Sequence, residues 1–155
     1  MIYSRSAEYA IRAFVHLATV PEGKYAMVKH IAEEAEIPAH FLAKILQQLA
    51  RKGFLRSSKG PTGGFSLRMP ANECSLVQIV DAVDGLADYN RCPAGLAECN
   101  DQAPCGMHDS WKGLRSLIMN YLEHTTIEDV AKALDLKRRN LEKAKKPKRS
   151  NSKKA

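Results

Sequence analysis

The sequence predicts a mostly helical fold with one small β-hairpin, arranged as a winged helix-turn-helix followed by a long helix. Apolar residues recur at helical spacing in three consecutive stretches between residues 4 and 52. The second and third stretches are separated only by "EIP", and the glycine- and proline-rich segment "KGPTGG" follows them. Short helix, tight turn, longer helix and hairpin is the order of a winged helix-turn-helix.

Two helices are predicted before the tight turn. One begins at a serine cap, Ser4 or Ser6, and ends near Thr19, with an apolar stripe of Ala10, Ala13, Phe14 and Leu17. The other is expected from about Met27 to Ala35. Pro38 disfavours a helical conformation at the preceding residue and suits the first position of a helix, so "EIP" is predicted to be a tight turn.

The third helix is expected from about Ala39 to Lys52, with Leu42, Ile45, Leu46 and Leu49 buried. A hairpin around "KGPTGG" follows. The second half is predicted to contain a helix over 76–84 capped by Ser75, a long amphipathic helix over 107–124, and a helix that starts within 125–134. The apolar positions of the long helix are Trp111, Leu114, Leu117, Ile118, Tyr121 and Leu122.

Charge divides the chain into three regions. The net charge is +5 over residues 1–72, −7 over 73–136 and +9 over 137–155, which together give the overall +7. We therefore expect a DNA-binding winged helix-turn-helix region at 1–72, a second region at 73–135, and a basic disordered tail at 136–155. The tail makes the protein basic, so the positive first region, which coincides with the motif, is the better indicator of DNA binding.

Eight polar residues are predicted to face DNA. Glutamine, lysine and arginine can contact base edges or phosphates, and a basic hairpin turn suits phosphate or minor-groove contact. The outward positions of the third helix are His40, Lys44, Gln47, Gln48 and Arg51, and those of the hairpin are Arg56, Lys59 and Thr62.

The segment "CPAGLAECNDQAPCGMH", residues 92–108, is the cysteine loop; it contains Cys92, Cys99, Cys105 and His108. The charges at Arg5, Glu8 and Arg12 argue against a secretory leader, and no run of 18 apolar residues is present, so we expect a cytoplasmic protein without a membrane span. In that reducing compartment clustered cysteines more often bind metal or react than form disulfides. Gaps of six and five residues, rather than close pairs, favour an iron–sulfur cluster over one zinc ion.

Several segments of the sequence resemble one family of proteins. "YSRSAEYAIRAFVHLA", "IAEEAEIPAHFLAKILQQLARKGFLRSSKGPTGGFSLRMPA" and "SLVQIVDAVDG" closely resemble the Rrf2 family of bacterial winged-helix regulators, over about residues 1–135. The cysteine loop and "SWKGLRSLIMNYLEHTTIEDVA" resemble the IscR- and NsrR-like members. The resemblance implies a homodimer, joined through the long helix as its dimerisation helix, that binds double-stranded, palindromic promoter DNA.

The same resemblance implies an iron–sulfur cluster held by Cys92, Cys99 and Cys105. The IscR-like pattern places a histidine three residues after the last cysteine, so His108 as fourth ligand favours [2Fe–2S]. The NsrR-like alternative is [4Fe–4S] with Glu8 of the partner subunit as fourth ligand. The first gap of six residues is longer than the five or four usual in these subgroups, which leaves the subgroup open.

These observations predict a DNA-binding transcriptional regulator, and not an enzyme, that senses redox, nitric oxide or iron–sulfur status through its cluster. One alternative is a zinc- or thiol-based regulator without a cluster. The other is an iron–sulfur electron carrier, which would leave the helix-turn-helix without a role.

Overall fold

A computed structural model describes residues 2–97 and 99–145 of the chain. In order, its elements are α1 (Arg5–Leu17), α2 (Val28–Ala35), α3 (Ala39–Arg51), β1 (Leu55–Ser58), β2 (Gly64–Leu67), α4 (Leu76–Val83), a 3-10 helix (Ala87–Asn90), α5 (His108–His124) and α6 (Ile127–Lys145). The predicted fold class, mostly helical with one hairpin and a long helix, is confirmed.

Helix α1 packs on both halves of the chain, because it contacts α2 and α3 of the first half and α4 and α6 of the second. Ser4 caps it by accepting a hydrogen bond from the Ala7 amide at 3.1 Å, and the predicted stripe is buried. The helix ends at Leu17, not near Thr19. The amides of Thr19 and Val20 bond to carbonyls three residues back, which tightens the chain into a turn.

The helix-turn-helix consists of α2, a three-residue turn and α3. Glu36 adopts φ +53°, the left-handed conformation that ends many helices, and it is the one non-glycine with positive φ among the described residues. The Ile37 amide then bonds back to the Ala32 carbonyl at 2.9 Å. The guanidinium of Arg12 donates to the Ala35 carbonyl, which joins α1 to the end of α2. The predicted stripe of α3 is buried.

The hairpin pairs β1 with β2 antiparallel, from Leu55 opposite Leu67 to Ser58 opposite Gly64. Ala26, just before α2, extends this sheet by exchanging two hydrogen bonds of 2.9 Å with Phe65. Gly64 has φ +140°, and a Cβ there would overlap the Ala26 carbonyl. A glycine is therefore required where the wing meets the segment that precedes α2.

In the second half of the chain, backbone hydrogen bonds join the start of α4 to the start of α6. The Ile127 amide bonds to the Cys74 carbonyl at 2.8 Å, and the Leu76 amide bonds to the Thr125 carbonyl at 2.9 Å. Thr126 and Asp129 form a capping box at this predicted helix start, with the Thr126 amide donating to Asp129 Oδ2 at 2.9 Å and the Asp129 amide donating to Thr126 Oγ1 at 3.2 Å. Helices α4 and α5 begin and end within one residue of their predicted bounds.

The prediction of a disordered tail from residue 136 is corrected, because α6 continues to Lys145. Residues 136–145 are rich in leucine, lysine and arginine, which favour helix, and they extend a helix that already has a capped start. Asp135 and Arg139 add an ion pair of 2.7 Å along the exposed surface. The rest of the predicted tail, residues 146–155, lies outside the described residues.

One hydrophobic core crosses the expected boundary at residue 72. It joins Phe14 of α1 and Leu42 and Leu46 of α3 to Ile79, Leu122 and Ile127 of the second half. Movement of the second half can therefore reach the helix-turn-helix through packed side chains. Within the part of the chain that the structure describes, no helix is long and apolar enough to cross a membrane.

Candidate metal centre and nucleic-acid interface

The cysteine loop joins the 3-10 helix to α5, and two side chains of α5 bond to the loop or to the residue that precedes it. The indole N–H of Trp111 donates to the carbonyl of Arg91, beside Cys92, at 3.1 Å. The Lys112 ammonium donates to Asp101 Oδ1 at 2.8 Å. Cys92, Cys99 and Cys105 are half-buried free thiols. The loop thus presents three reduced sulfurs close to the long helix.

The Cys92 sulfur faces a row of backbone amides. Hydrogen bonds from Leu96 and then Ala94 lower the pKa of the Cys92 thiol, and the Cys105 side chain and the Gly95 amide lower it further, against an opposing effect of desolvation. Donors aimed at a sulfur stabilise the thiolate, which is the form that binds metals and reacts. Cys92 and Cys105 are therefore one pair of candidate ligands.

Cys99 and His108 are the second pair. The Cys99 sulfur lies 3.4 Å from Nδ1 of His108, and Nε2 on the other side of the ring lies 2.7 Å from Asp101 Oδ1. The imidazole is only 4% exposed, although it stands at the first position of α5. Its side chain turns toward the loop, so it can act as a ligand.

The donors of the loop form two pairs and do not surround one point. Among the described residues, no group of three or more His, Cys, Asp or Glu side chains is placed to hold a single metal ion. A structural zinc ion needs four ligands around one centre. A [2Fe–2S] cluster has two irons, and its four protein ligands are shared between them. Soft thiolates with one imidazole, arranged as two pairs, fit the chemistry of that cluster.

Cys74, the fourth cysteine of the chain, lies apart from the loop. It is fully buried beneath the start of α6, and burial raises the pKa of its thiol to about 11. A buried, protonated thiol is unreactive and packs as a small apolar side chain. Cys74 is therefore a core residue.

Glu8, the alternative fourth ligand, lies half-buried on α1 and pairs with Arg12, its Oε1 3.4 Å from the guanidinium. The same guanidinium donates to the Ala35 carbonyl at the end of α2. The structure thus connects this carboxylate to the helix-turn-helix. Its role as a ligand from a partner subunit stays a prediction.

Of the five positions that the sequence predicts on the DNA-facing side of α3, four are exposed: His40, Lys44, Gln47 and Arg51. Gln48 is not fully exposed, because its side-chain amide Nε2 donates a hydrogen bond to the Ala82 carbonyl at 3.1 Å. Lys52 donates to the same carbonyl at 2.6 Å. Since Ala82 lies in the last turn of α4, Gln48 and Lys52 fasten α3 to α4. A contact of Gln48 with DNA stays a prediction.

An open groove separates α3 from the wing, and every charged side chain that lines it is basic. These side chains are Arg51, Arg56, Lys59 and Arg68. Arg68 is not among the residues predicted from the sequence to face DNA. The alternation of side chains along a strand could have indicated it. Ser66 lies opposite Arg56, and Arg68, two residues after Ser66, is on the same face of the hairpin. Thr62 is exposed at the hairpin turn. The groove has the charge expected of a surface that follows a phosphate backbone.

One face of α5 is apolar and uncovered within the described chain. Leu114, Leu117 and Tyr121 are 50%, 70% and 47% exposed, whereas Leu122 is fully buried in the core. The long amphipathic stripe therefore divides in two. One edge packs against the chain's own core, and the other forms an exposed apolar strip of the kind that marks an interaction surface.

Comparison with known proteins agrees with this architecture. The family model described as iron-dependent transcriptional regulator, Rrf2, matches residues 3–133. An HTH-type transcriptional regulator of Aquifex aeolicus is 33% identical over 132 residues, which cover 84% of this chain and 91% of that protein. The HTH-type transcriptional regulator IscR of Pectobacterium atrosepticum is 27% identical over 130 residues, covering 84% of this chain and 79% of its own.

Solved structures show the same fold. The oxidized form of Staphylococcus aureus CymR superposes with a TM-score of 0.67 at 26% identity, over 84% of this chain and 96% of that one. IscR of T. potens superposes with a TM-score of 0.65 at 19% identity, over 94% of this chain and 91% of that one. With the family match over most of its length, the chain belongs to the Rrf2 family of DNA-binding, winged-helix transcriptional regulators.

Proposed function

We propose that this regulator senses redox, nitric oxide or iron–sulfur status through an iron–sulfur cluster held in the cysteine loop. The observation that carries the proposal is the contact of Cys99 with the buried imidazole of His108, in a loop that also presents the free thiols of Cys92 and Cys105. The likeness to IscR supports it. The cytoplasm, where thiols stay reduced, is the compartment that suits both the loop and a DNA-binding role.

We further propose that the cluster is [2Fe–2S], with His108 as the fourth ligand. His108 already lies beside Cys99 with a ring nitrogen turned toward the sulfur. The Glu8 carboxylate is instead paired with Arg12, and its use as a ligand in the [4Fe–4S] alternative would cost that pair. The arrangement of side chains in the loop thus favours the IscR-like choice.

When bound, an iron–sulfur cluster supplies a one-electron redox couple and a centre that oxidants and nitric oxide attack. The chain carries a change in the loop to α5 through the bonds of Trp111 and Lys112. Helix α5 packs on α4, and Gln48 and Lys52 fasten the last turn of α4 to α3. The DNA-facing helix is therefore connected to the loop by packed helices and four hydrogen bonds. Such a connection is allosteric when cluster state and DNA affinity are thermodynamically coupled.

The partners in this proposal are a second copy of the chain and promoter DNA. A homodimer formed through the exposed strip of α5 would cover Leu114, Leu117 and Tyr121. It would also present two α3 helices to a palindromic site, because protein and operator would share one two-fold axis.

Leu117→Glu is expected to convert the dimer to a monomer, because it places a charge in an interface that is otherwise apolar. Affinity for a palindromic promoter fragment should fall at least about tenfold, ~1.4 kcal/mol. Light scattering after size exclusion measures the mass, and fluorescence anisotropy measures the affinity. Ser116→Glu adds the same charge on a different, exposed face of α5 and should remain dimeric. A dimeric L117E protein would contradict the interface.

Arg56→Gln is expected to weaken binding to all DNA sequences by a similar factor, if Arg56 contacts the phosphate backbone as its place in the basic groove suggests. The slope of log affinity against log salt should become shallower by about 0.9 for each chain's lost phosphate contact. Lys132→Gln is the matched control. Lys132 lies on α6, paired with Glu128 at 2.9 Å and outside the groove, so its removal should leave the slope unchanged. Equal slopes of log affinity against log salt for the wild type and R56Q would contradict the placement of the wing in the DNA interface.

A thiol-based regulator without a cluster is the second candidate. The observation that favours it is the presence of three free, half-buried thiols in one loop, with hydrogen bonds that lower the pKa of the Cys92 thiol, since a thiolate near a second thiol can form a disulfide when a peroxide or another disulfide oxidises it. The likeness to the oxidized form of CymR supports this alternative.

Anaerobic purification followed by an absorption spectrum and by iron, sulfide and zinc assays separates these candidates. Iron and sulfide in equal amounts with a coloured protein support the cluster. A colourless protein with stoichiometric zinc would overturn it, and a metal-free protein that forms a Cys92–Cys105 disulfide would favour the thiol switch. Promoter affinity indifferent to cluster occupancy would refute the sensing role.

A further inference from the structure

The imidazole of His108 is held by a chain of hydrogen bonds that reaches the surface. Nε2 lies 2.7 Å from Asp101 Oδ1, and the same oxygen accepts a hydrogen bond from the Lys112 ammonium at 2.8 Å. The imidazole is buried, whereas the side chains of Asp101 and Lys112 are 68% and 50% exposed. Asp101 and Lys112 are not among the candidate ligands that the sequence implies.

Asp101 is held in place by more than this contact. The amide of Gln102 donates to Asn100 Oδ1 at 2.7 Å, which forms a local turn around Asp101. The amide of His108 donates to the Cys105 carbonyl at 3.0 Å, which fixes the backbone at the start of α5. Both partners of the Asp101–His108 contact thus lie on constrained backbone.

The contact decides which nitrogen of a neutral His108 carries the proton. An ionised carboxylate only accepts hydrogen bonds, so Nε2 must be the donor to Asp101. In a neutral imidazole the free lone pair is then on Nδ1, the atom that lies 3.4 Å from the Cys99 sulfur. A carboxylate bonded to the remote nitrogen of a histidine is the usual support of a metal-binding imidazole.

We propose that Asp101, fastened by Lys112, is a positioning residue that turns Nδ1 of His108 toward Cys99, so that these two ligands share one iron and Cys92 and Cys105 share the other. This inference rests on the proposed cluster. It adds Asp101 and Lys112, which the spacing of the cysteines does not indicate, and it identifies Nδ1 as the ligating nitrogen of His108. Because Asp101 acts through His108, it touches neither iron nor sulfide itself.

The first test needs no iron. In the full-length apo-protein, kept reduced and anaerobic and labelled with ¹⁵N-histidine, NMR at a pH where His108 is neutral reports its tautomer. His108→Ala identifies the signals. We expect Nε2–H in the wild type, a mixture of tautomers in Asp101→Ala, and an intermediate result in Asp101→Asn, which keeps a weaker acceptor. Asp109→Ala removes a charge from the exposed first turn of the same helix and should behave as wild type.

The second test uses the reconstituted holoprotein. Asp101→Ala should release iron to a chelator roughly 10-fold to 100-fold faster than wild type, the usual effect of removing such a support. Mössbauer spectra should show that one of two iron sites changes, the site shared by His108 and Cys99. Lys112→Met should shift both measurements in the same direction by less.

The outcomes separate the two proposals. An Nδ1–H tautomer in the wild type, or equal tautomer populations in wild type and D101A, would overturn the positioning role. Equal iron release with unchanged spectra in D101A would overturn it as well. A protein that binds no cluster after reconstitution would refute the proposed function instead, since the tautomer measurement is made without iron.

Discussion

Gly64→Ala is expected to dislodge the wing and reduce promoter affinity at least about tenfold, ~1.4 kcal/mol. An added Cβ would overlap the Ala26 carbonyl, and φ at this position is +140°. The strand must therefore move away from Ala26 and lose the two hydrogen bonds to Phe65. We expect a loss of about 1–3 kcal/mol of unfolding free energy, the range for a strained backbone position. Thermal denaturation and fluorescence anisotropy measure the two effects.

Gly113→Ala is the matched control for this change. Gly113 lies within α5, and a Cβ there has no neighbour within 4 Å. Alanine favours helix over glycine by about 0.8–1.0 kcal/mol, so this variant should be as stable as the wild type or more stable. A G64A protein with the melting temperature and promoter affinity of the wild type would show that the wing tolerates a side chain against Ala26.

Cys105→Ala is expected to lower bound iron to background. It removes the thiol beside Cys92 and leaves that pair with a single ligand. Because the four donors are divided between two irons in our proposal, no neighbouring side chain of the other pair can replace it. Iron and sulfide per chain, with the visible absorption spectrum, measure the loss.

Cys74→Ala makes the same chemical change at a buried thiol and should keep the full iron content. Its thiol is fully buried and has a pKa raised to about 11 by burial. Loss of the buried sulfur should cost on the order of 1 kcal/mol of unfolding free energy. Iron retained by C105A, or lost equally by C74A, would contradict the assignment of ligands.

The helix-turn-helix was predictable because its determinants are local. The buried stripe of α3 follows from helical spacing, and Pro38 placed the turn within one residue. The start of α6 was predictable for the same reason, since Thr126 and Asp129 lie three residues apart and cap it. In each case the residues that decide the structure are neighbours in the sequence.

The features that were not predicted depend on contacts between residues distant in the sequence or on a balance of weak effects. Gln48 has the pattern of an outward residue on α3, yet it bonds to Ala82, 34 positions away. The basic run after residue 136 suggested disorder by its charge, but helix propensity and continuation from a capped start prevailed through Lys145. Asp101 became part of the site only because the loop folds it onto His108, seven residues away.

The indole of Trp111 has a practical consequence. It is the single tryptophan of the chain, and it donates its hydrogen bond to the residue immediately before Cys92. Intrinsic tryptophan emission therefore originates entirely from one turn of helix beside the candidate ligands. A chromophore bound there would quench this emission by energy transfer. Stopped-flow fluorescence of the unlabelled protein could then time the arrival or destruction of the cofactor against the release of DNA.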